Sequence, residues 1–244
     1  MAGAIIHRMS LRESVATPDG KRRYVRQLFA TIADRYDLIT VLLSYGQDRS
    51  WKRRLVGMVP APSGARVLDL ATGTGDIAYL FHSAGARVVG LDLTPRMIEL
   101  ARAKQPDGAR PAFLVGDMIA LPFPSGAFDL VTTGYCLRNV PDLSAALDEI
   151  ARVLRPGGRL LSLDFDRPSN SLVRAAYLAY LSAVGGLVGW ILHRDADTYR
   201  YIPASIRTYP GGAGVVQLMR AHGFADAAWH RVLGGFMAIH DART

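Results

Sequence analysis

The stretch VLDLATGTGDIA, residues 67–78, decides the fold that this sequence predicts. Its apolar start is typical of a buried strand, the glycine turn at 73–75 follows, and an apolar helix comes next. The two glycines and Ala78 match G-x-G-x-x-G/A, a spacing that places a dinucleotide pyrophosphate at a helix N-terminus. Two carboxylates, Asp69 and Asp76, stand where that pyrophosphate would lie, so the glycine spacing alone does not identify the ligand.

Apolar strands alternate with helical patterns on both sides of this stretch. We expect an α/β fold: a doubly wound, mostly parallel seven-stranded sheet with N-terminal helices and a helical insertion before the last two strands. The predicted strands are 66–71, 87–93, 112–117, 128–133, 159–165, 225–231 and 234–240, with helices to about 83, from 95, at 142–154 and at 213–222. The turn sequence RPGG (155–158) is expected to separate the third of these helices from strand five.

The predicted organisation is one domain, 21–244, behind a loose tail, 1–20. Within it we expect four parts: a helical cover (21–60), a cofactor-binding core (61–165), a helical insertion on the substrate side (166–212), and a final helix with two strands (213–244). At 244 residues the chain is long enough for one well-buried domain of this kind and too short for two full ones.

Composition and charge narrow the functional class. A single cysteine, Cys136, excludes an internal disulfide framework and a cysteine-rich zinc site, and it suits the cytoplasm. The net charge is +8, and residues 1–60 hold 11 Lys/Arg against 5 Asp/Glu. This basic segment has two interpretations, a solvated surface or a patch that docks on anionic lipid at the inner face of the cell membrane. No nucleic-acid-binding motif accompanies it, so nucleic acid is not expected as a partner.

Residues 172–192, LVRAAYLAYLSAVGGLVGWIL, carry one charge and are about long enough to span a bilayer. If the last two strands complete the same sheet, the chain cannot have crossed a membrane between them. Gly185, Gly186 and Gly189 predict two shorter helices with a break. Buried core remains an alternative, but we expect an insertion that caps the substrate end and is apolar because its ligand is.

The strand ends identify the cofactor class. Asp92 ends strand two, where a carboxylate accepts hydrogen bonds from both ribose hydroxyls of a dinucleotide or an adenosyl cofactor. Asp117 is placed to accept an adenine amino group, with Met118 against the ring. Asp69 and Asp76 decide between cofactors, because two charges about 4 Å apart interact by about 4 kcal/mol near a protein surface. Such carboxylates repel a pyrophosphate and attract the sulfonium and ammonium groups of S-adenosylmethionine.

We therefore predict a S-adenosylmethionine site rather than the NAD site of an oxidoreductase. The expected cofactor-binding residues come from the glycine turn and the ends of strands one to four, namely Asp69, Thr72, Gly73, Thr74, Gly75, Asp76, Asp92, Leu93, Asp117, Met118 and Gly134. No metal site is evident in the sequence.

Several longer segments carry a family resemblance. VLDLATGTGD, LPFPSGAFD and RVLRPGGRL resemble class I S-adenosylmethionine-dependent methyltransferases. RYDLITVLLSYGQDRSWKRRLV (35–56), YCLRNVPD (135–142), LDFDRP (163–168) and DADTYRYIPASIRTYP (195–210) resemble the ubiquinone/menaquinone biosynthesis C-methyltransferase family. The likeness extends from about residue 24 to 241. It departs at Thr40, Asp164 and 134–136, where the family usually has Asn, Glu and Ser-Phe-Gly.

The resemblance implies an enzyme that methylates a ring carbon of a polyprenylated quinol, either demethylmenaquinol or the methoxy-benzoquinol precursor of ubiquinone. A methyltransferase acting on a soluble small-molecule acceptor is the alternative, and a non-enzymatic adenosylmethionine-binding protein is a third reading. Arg138 and Asn139 match the pair to which the family assigns stabilisation of the substrate phenolate, and Tyr36 matches a tyrosine that lines the site. Asn139 could instead cap a helix.

Four further residues are candidates for substrate contact, from the end of strand five and from the region after the apolar insertion: Asp164, His193, Tyr199 and Arg200. Asp164 has the alternative of capping the following loop, and a lone histidine such as His193 is more often structural. A homodimer is left open by the sequence.

Overall fold

The computed structural model describes residues 17–59, 63–104, 111–194 and 198–244. Its seven strands form one sheet in the order β3-β2-β1-β4-β5-β7-β6, in which only β7 runs antiparallel to its neighbours. The strands are β1 (Arg66–Leu70), β2 (Arg87–Asp92), β3 (Ala112–Val115), β4 (Phe128–Gly134), β5 (Leu154–Phe165), β6 (Ala228–Val232) and β7 (Met237–Arg243). The predicted α/β class and mostly parallel sheet are confirmed.

The described helices number nine, together with three short 3-10 turns. They are α1 (Pro18–Ile32), α2 (Tyr36–Leu43), α3 (Asp48–Gly57), α4 (Asp76–Ser83), α5 (Pro95–Ala103), α6 (Leu143–Val153), α7 (Ser171–His193), α8 (Tyr201–Thr208) and α9 (Gly211–Ala221). The 3-10 turns are Ala33–Arg35, Leu137–Asn139 and Leu233–Gly235. Residues 1–16 of the predicted tail lie outside the described residues, and α1 already begins at Pro18, with the Thr17 hydroxyl accepting a hydrogen bond from the Gly20 N–H.

The order of the strands determines where a ligand can bind. β1 lies between β2 and β4, so the strand order reverses at β1, and a crevice opens beyond the carboxyl ends of these three strands. The strands are held in place by a fully buried apolar core, in which Val67, Leu68 and Leu70 of β1 are each 0% exposed. The rigid core fixes the backbone from which the loop residues of the site project.

Two predicted boundaries need correction. β5 begins at Leu154 instead of residue 159, because the RPGG segment is carried within the strand as an irregularity: Phe128 pairs with Leu154 and Leu130 with Arg159. Gly157 has φ +72°, which lets the chain bend there without steric penalty. The last two strands are each shifted about three residues towards the C-terminus from their predicted starts.

The apolar segment forms one continuous helix, so the predicted break at its glycines is wrong. α7 is 23 residues long, and its three glycines Gly185, Gly186 and Gly189 are buried. Gly185 and Gly186 face Tyr199 and Arg200, which directly precede α8. A Cβ added at Gly185 would lie 3.2 Å from both the side chain and the carbonyl oxygen of Tyr199. The glycines therefore permit close packing between helices, as small residues do elsewhere.

α7 is the one described helix that is long and apolar enough to cross a membrane by length and composition, with a mean hydropathy of 1.7 over its most apolar window. The strands before and after it, β5 and β7, are hydrogen-bonded neighbours in the same sheet. A single crossing would leave those two strands on opposite sides of the bilayer, so the topology excludes it.

Candidate functional site

The glycine turn is built as the sequence predicts. Gly73 and Gly75 have φ +56° and +86°, and Ala71, directly after β1, also has a positive φ of +50°. Few residues other than glycine adopt this left-handed region. A Cβ on Gly75 would lie 3.0 Å from the rings of Phe113 and Tyr79, so that position has no room for a side chain.

A cavity of about 770 Å³ lies beyond the carboxyl ends of β1, β2 and β4, and we call it the cofactor cavity. Asp92 is in its wall, with Oδ2 accepting a hydrogen bond from the Gly73 N–H at 2.9 Å and Oδ1 accepting one from the Thr94 N–H at 2.8 Å. A carboxylate accepts about four hydrogen bonds, so Asp92 retains capacity for two hydroxyl groups of a ligand. The predicted residues Gly73, Leu93 and Gly134 also line this cavity.

Asp117 and Met118 lie in the opposite wall of the cofactor cavity. Asp117 Oδ1 accepts a hydrogen bond from the Ile119 N–H at 3.2 Å, and Oδ2 forms an ion pair with the guanidinium of Arg22 on α1. The prediction of an adenine contact for Asp117 is therefore qualified, because Arg22 already engages one oxygen of the carboxylate.

A second, smaller pocket of about 300 Å³ lies beside the glycine turn, and we call it the polar pocket. Asp69 is buried in it and accepts hydrogen bonds from the hydroxyls of Thr72, at 2.6 Å, and Thr132, at 2.8 Å. Burial raises the pKa of Asp69 to about 6. Thr72 thus holds Asp69 in the pocket wall, while Gly75 only shapes the turn.

Asp76 also lines the polar pocket, but its charge is compensated within the chain. Its carboxylate lies 2.8 Å from the Lys52 ammonium and 3.0 Å from that of Lys104. Burial alone would raise the pKa of Asp76, yet these two lysines hold it below its usual value. The expectation that Asp76 meets the positive charge of a ligand is therefore corrected, and the electrostatic case against a pyrophosphate depends on Asp69.

Thr74 belongs to the same ion network. Its hydroxyl donates to Asp37 Oδ1 at 2.6 Å and accepts from the Lys104 ammonium at 2.7 Å. Asp37 is on α2, so the network ties the helical cover to the glycine turn. Thr74 lines the polar pocket and contributes nothing to the wall of the cofactor cavity.

An apolar cavity of about 940 Å³ lies under α1, α2, α7 and α8. Its lining is mainly aliphatic and aromatic and includes Ile39, Leu43, Leu181 and Ile202. Three side chains line both this cavity and the cofactor cavity: Phe29, Tyr36 and Tyr135. The two cavities therefore meet at a wall of three aromatic rings.

Tyr36 lies in that shared wall, where the sequence predicts it to line the site. Burial raises the pKa of its hydroxyl to about 12, so Tyr36 stays protonated at neutral pH. At neutral pH it is therefore a hydrogen-bond donor rather than a base.

Arg138 and Asn139 lie in the 3-10 turn after β4, on either side of the shared wall. Arg138 lines the apolar cavity and Asn139 the cofactor cavity. Both donate to the Tyr135 carbonyl, from Arg138 Nη1 at 2.6 Å and from Asn139 Nδ2 at 2.9 Å. Within the described residues, the buried Arg138 Nε and Asn139 Oδ1 have no hydrogen-bond partner. Such groups are costly unless a ligand or water satisfies them.

Asp164 does not reach either cavity. It is 0% exposed and accepts from Arg138 Nη1 at 2.7 Å and from the backbone N–H groups of Arg138 and Phe165. The predicted substrate contact is therefore replaced by another role, which is to hold Arg138. The guanidinium also lies 4.7 Å from the centre of the Phe165 ring.

The other three predicted substrate residues separate in space. Tyr199 is buried and lines the apolar cavity. His193 is hydrogen-bonded to the Tyr199 hydroxyl at 3.0 Å and supports that ring without lining the cavity. Arg200 is exposed beside Gly186 of α7, outside the cavity wall, so Tyr199 is the one of these three that lines the apolar cavity. Residues 195–197 of the DADTYRYIP motif lie outside the described residues.

Sequence reasoning missed four charged residues that complete the site. Asp48 and Lys52 form a buried ion pair at 2.7 Å, and their i,i+4 spacing on a helix was the available signal. Lys21 on α1 points inward, and its ammonium donates to the carbonyls of Arg138 and Val140 at 3.0 and 2.8 Å. Arg22, on the same helix, is partly exposed and reaches Asp117 at the rim of the cofactor cavity. Part of the basic N-terminal charge therefore serves the site instead of an outer surface.

These features fit S-adenosylmethionine. The cofactor cavity offers the Asp92 carboxylate to a ribose and the Met118 side chain to an adenine ring, and the adjoining polar pocket offers the buried carboxylate of Asp69 to a cationic end. No group of three or more His, Cys, Asp or Glu close enough to hold a metal ion occurs in the described part of the chain.

Comparisons with known proteins agree with this site. A model of the ubiE/COQ5 methyltransferase family matches residues 17–243. A demethylmenaquinone methyltransferase of Thermus thermophilus is 41% identical over 216 residues, which cover 87% of this chain and 98% of the relative. A ubiquinone/menaquinone biosynthesis C-methyltransferase UbiE of Azotobacter vinelandii is 38% identical over 226 residues, which cover 90% of this chain and 89% of the relative.

Solved structures share the fold at lower identity. A SAM-dependent methyltransferase from Thermotoga maritima superposes with a TM-score of 0.65 at 18% identity, covering 90% of this chain and 99% of that one. Phosphoethanolamine N-methyltransferase 2 of Haemonchus contortus, solved with S-adenosylhomocysteine, gives a TM-score of 0.67 at 16% identity. The match covers 90% of this chain and 60% of that one. At these identities the likeness concerns the fold alone.

Proposed function

Because the chain belongs to the ubiE/COQ5 methyltransferase family, we propose that it transfers a methyl group from S-adenosylmethionine to a ring carbon of a polyprenylated quinol. The names of its relatives support demethylmenaquinol as the acceptor, with the methoxy-benzoquinol of ubiquinone synthesis as the second choice. The acceptor ring reacts at the carbon ortho to a hydroxyl.

The observation that carries the proposal is the meeting of two cavities of different character. One has the polar strand-end groups that suit an adenosyl cofactor, and the other is large and apolar. Phe29, Tyr36 and Tyr135 line both of them. A water-soluble donor and a lipid acceptor can thus be brought into contact at this wall, and positioning of two reactants contributes up to about 7–11 kcal/mol to catalysis.

The bound cofactor supplies a methyl group already activated on a sulfonium. The chain supplies the cradle: Asp92, fixed by the Gly73 and Thr94 N–H groups, holds the ribose, and Asp69 stands near the cationic end. The glycine turn allows the backbone to approach the ligand closely.

Arg138 acts on the acceptor side. Burial alone would lower the pKa of Arg138, but the Asp164 carboxylate outweighs it and raises that pKa above its usual value. The guanidinium therefore stays protonated and cannot serve as a base. Its charge stabilises the phenolate form of the acceptor, whose ring carbon is the better nucleophile. Asp164 and Phe165 fix the direction of the guanidinium, and the unpartnered Nε is available to the acceptor oxygen or to a water molecule.

The apolar cavity is the place for the start of the prenyl chain. Burial of each CH₂ group contributes about 0.8 kcal/mol, so a lipid acceptor gains affinity here that a small polar acceptor does not. Ile39, Leu43, Leu181 and Ile202 provide the aliphatic contacts.

Methyl transfer to defined quinols tests the function. Purified protein is incubated with methyl-labelled S-adenosylmethionine and one of three acceptors: short-chain demethylmenaquinol, the methoxy-benzoquinol, or a soluble catechol without a prenyl chain. We expect label on a ring carbon of the first or second acceptor. Faster turnover with the catechol would overturn the acceptor class and favour a soluble substrate.

We further propose that the chain works at the cytoplasmic face of the membrane that holds its acceptor. The helices that wall the apolar cavity expose large side chains on their outer faces, which we call the outer apolar patch: Leu38 and Leu42 of α2 (52% and 50% exposed) and Leu187, Trp190 and Ile191 of α7 (58%, 64% and 60%). Contiguous exposed apolar surface of this kind marks an interaction site.

The two halves of the patch are adjacent. Buried or half-buried side chains of α2 and α7, including Ile39, Leu43, Val188 and Leu192, form one cluster beneath it. An exposed Trp beside Leu and Ile is typical of a surface that enters the interface of a bilayer.

Vesicle flotation tests the membrane contact. The wild type should float with anionic phospholipid vesicles, and Trp190→Ser with Ile191→Ser should sink. Val115→Ser is the matched control, because Val115 is 52% exposed on β3, away from the patch. Equal flotation of all three proteins would contradict docking through this surface.

A further inference from the structure

Tyr135 occupies a strained and central position. It follows β4 directly and has φ +58°, a conformation that is unfavourable for a bulky side chain. Its carbonyl oxygen accepts the hydrogen bonds of Arg138 and Asn139, and its ring lines the cofactor cavity, the apolar cavity and the polar pocket.

The Tyr135 hydroxyl begins a chain of buried polar groups. It donates to Asp48 Oδ1 at 2.7 Å, and Asp48 Oδ2 accepts from the Lys52 ammonium at 2.7 Å. The same ammonium donates to Asp76 Oδ2 at 2.8 Å. Asp48 and Lys52 are 3% and 6% exposed, so this series of groups runs from the shared wall to the lining of the polar pocket without passing through bulk solvent.

The protonation states of these groups determine the direction in which a proton can move along them. Burial, reinforced by the Asp48 carboxylate, raises the pKa of Tyr135 well above its usual value, so the hydroxyl remains protonated. Its single proton is directed at Asp48, which leaves oxygen lone pairs to accept a proton from a group in the cavity. Other charged and titratable groups face the Tyr135–Asp48 pair. They are Lys52, on the same helix as Asp48, and, on the neighbouring elements, Tyr36, Asp76, Arg138 and Asp164.

We propose that Tyr135 and Asp48 form the path along which the acceptor hydroxyl loses its proton, with Lys52 as the residue that positions Asp48. The inference rests on the proposed function and adds the proton acceptor to it. Arg138 then stabilises the oxygen anion, and Asp48 takes up the proton. Arginine cannot take up the proton itself, so the proton must pass to another acceptor.

The proposed step moves protons only. The O–H bond of the acceptor breaks, its proton binds the Tyr135 oxygen, and the Tyr135 proton passes to Asp48 Oδ1. The electron pair of the broken bond stays on the acceptor oxygen and is shared with the ortho carbon. After methylation the hydrogen of that carbon leaves to water as the net proton of the reaction, and Asp48 returns its proton along the same path.

Three variants test the path: Tyr135→Phe, Asp48→Asn and the double variant. Each single change should lower kcat at pH 7 by about tenfold or more, as loss of general base catalysis does. Activity should recover as the pH rises, because solvent hydroxide then removes the proton. The double variant should be no slower than the slower single variant, since both residues act in one path. Tyr79→Phe is the matched control, because the Tyr79 hydroxyl donates to the Ala101 carbonyl, outside both cavities.

A spectroscopic titration separates catalysis from structure. A short-chain naphthol bound to the wild type should ionise at a higher pH than the same naphthol bound to Tyr135→Phe, as its absorbance reports, because the Tyr135 oxygen accepts from the protonated hydroxyl and Asp48 is negatively charged. Tyr135→Phe leaves the buried Asp48 Oδ1 without its donor, so the melting temperature should fall, whereas cofactor affinity should be unchanged.

Two results would overturn the proposed proton path. One is a loss of kcat in the single variants that is the same at every pH, and the other is a loss of kcat in the double variant equal to the product of the two single losses. Either result with an active wild type counts against the path alone. A wild type that methylates no quinol counts against the proposed function instead.

Discussion

The cofactor cavity and the apolar cavity share three aromatic side chains and are otherwise built by different means. The cofactor cavity takes most of its wall from strand ends and the turns that follow them, within residues 71–141. The apolar cavity takes its wall from helices far apart in the chain, α1, α2, α7 and α8. The first holds its polar groups with backbone hydrogen bonds, and the second is shaped by side-chain packing.

The difference shows how a common fold acquires a particular substrate. Strand ends of a parallel sheet recur in every protein of this fold, so they suit a cofactor that all such proteins share. A helical cover varies without disturbing the sheet, and it therefore suits the acceptor. Changes in one region should consequently alter one ligand and spare the other, and four measurements probe that separation.

The largest effect is expected at Arg138, on the acceptor side. Removing the guanidinium alone would leave Asp164 as an unpaired buried charge, which destabilises a protein by about 3–5 kcal/mol. The variant Arg138→Met with Asp164→Asn removes both charges. We expect kcat to fall by about 10²–10³, as for loss of an oxyanion donor, with cofactor affinity within twofold of wild type by calorimetry. A comparable loss of cofactor affinity would break the separation.

Asp92→Asn tests the cofactor cavity. A hydrogen bond to a charged group contributes about 1.5–3 kcal/mol, so the cofactor Kd should rise by about 10–100-fold. The KM for the quinol should stay near that of wild type, because Asp92 does not line the apolar cavity. Steady-state kinetics with each ligand varied in turn measures both.

The pH dependence of cofactor binding sharpens the role of Asp69. Its pKa is raised to about 6 by burial, and the carboxylate form is the one that attracts a cation. Affinity should therefore be full above about pH 6 and fall as the pH drops, approaching tenfold per pH unit. Asp69→Asn should bind more weakly at neutral pH and lose this slope. A slope that persists in Asp69→Asn would assign it to another group.

The smallest effect is expected at Gly185, where α7 packs on Tyr199. The added methyl group of Gly185→Ala meets atoms at 3.2 Å, so the melting temperature should fall by about 2–4 °C for each kcal/mol lost. The quinol KM should rise, because Tyr199 lines the apolar cavity. Gly57→Ala is the control, since a Cβ there has nothing within 4 Å, and it should leave stability unchanged or raise it.

The same division explains what the sequence could predict. The cofactor side follows from local pattern: a strand, a glycine turn and an acidic residue at the end of the next strand place Asp92 without knowledge of the tertiary fold. The pairing of Asp76 with Lys52 and Lys104 could not be found this way, because the three residues lie on separate helices or just beyond one. Which face of α7 is buried depends on Tyr199, and its glycines suggested a break where they serve packing.

The shared wall of Phe29, Tyr36 and Tyr135 has a kinetic consequence. The cofactor cavity has the exposed side chains of Arg22 and Arg26 at its rim, whereas the apolar cavity has Tyr45 and Tyr180 at its own. Each of the two cavities thus has its own opening to the surface, one for the cofactor and one for the acceptor. Under the membrane contact proposed above, the used cofactor leaves to the aqueous phase and is replaced while the protein stays bound to the bilayer, so one binding event supports many successive rounds of lipid modification.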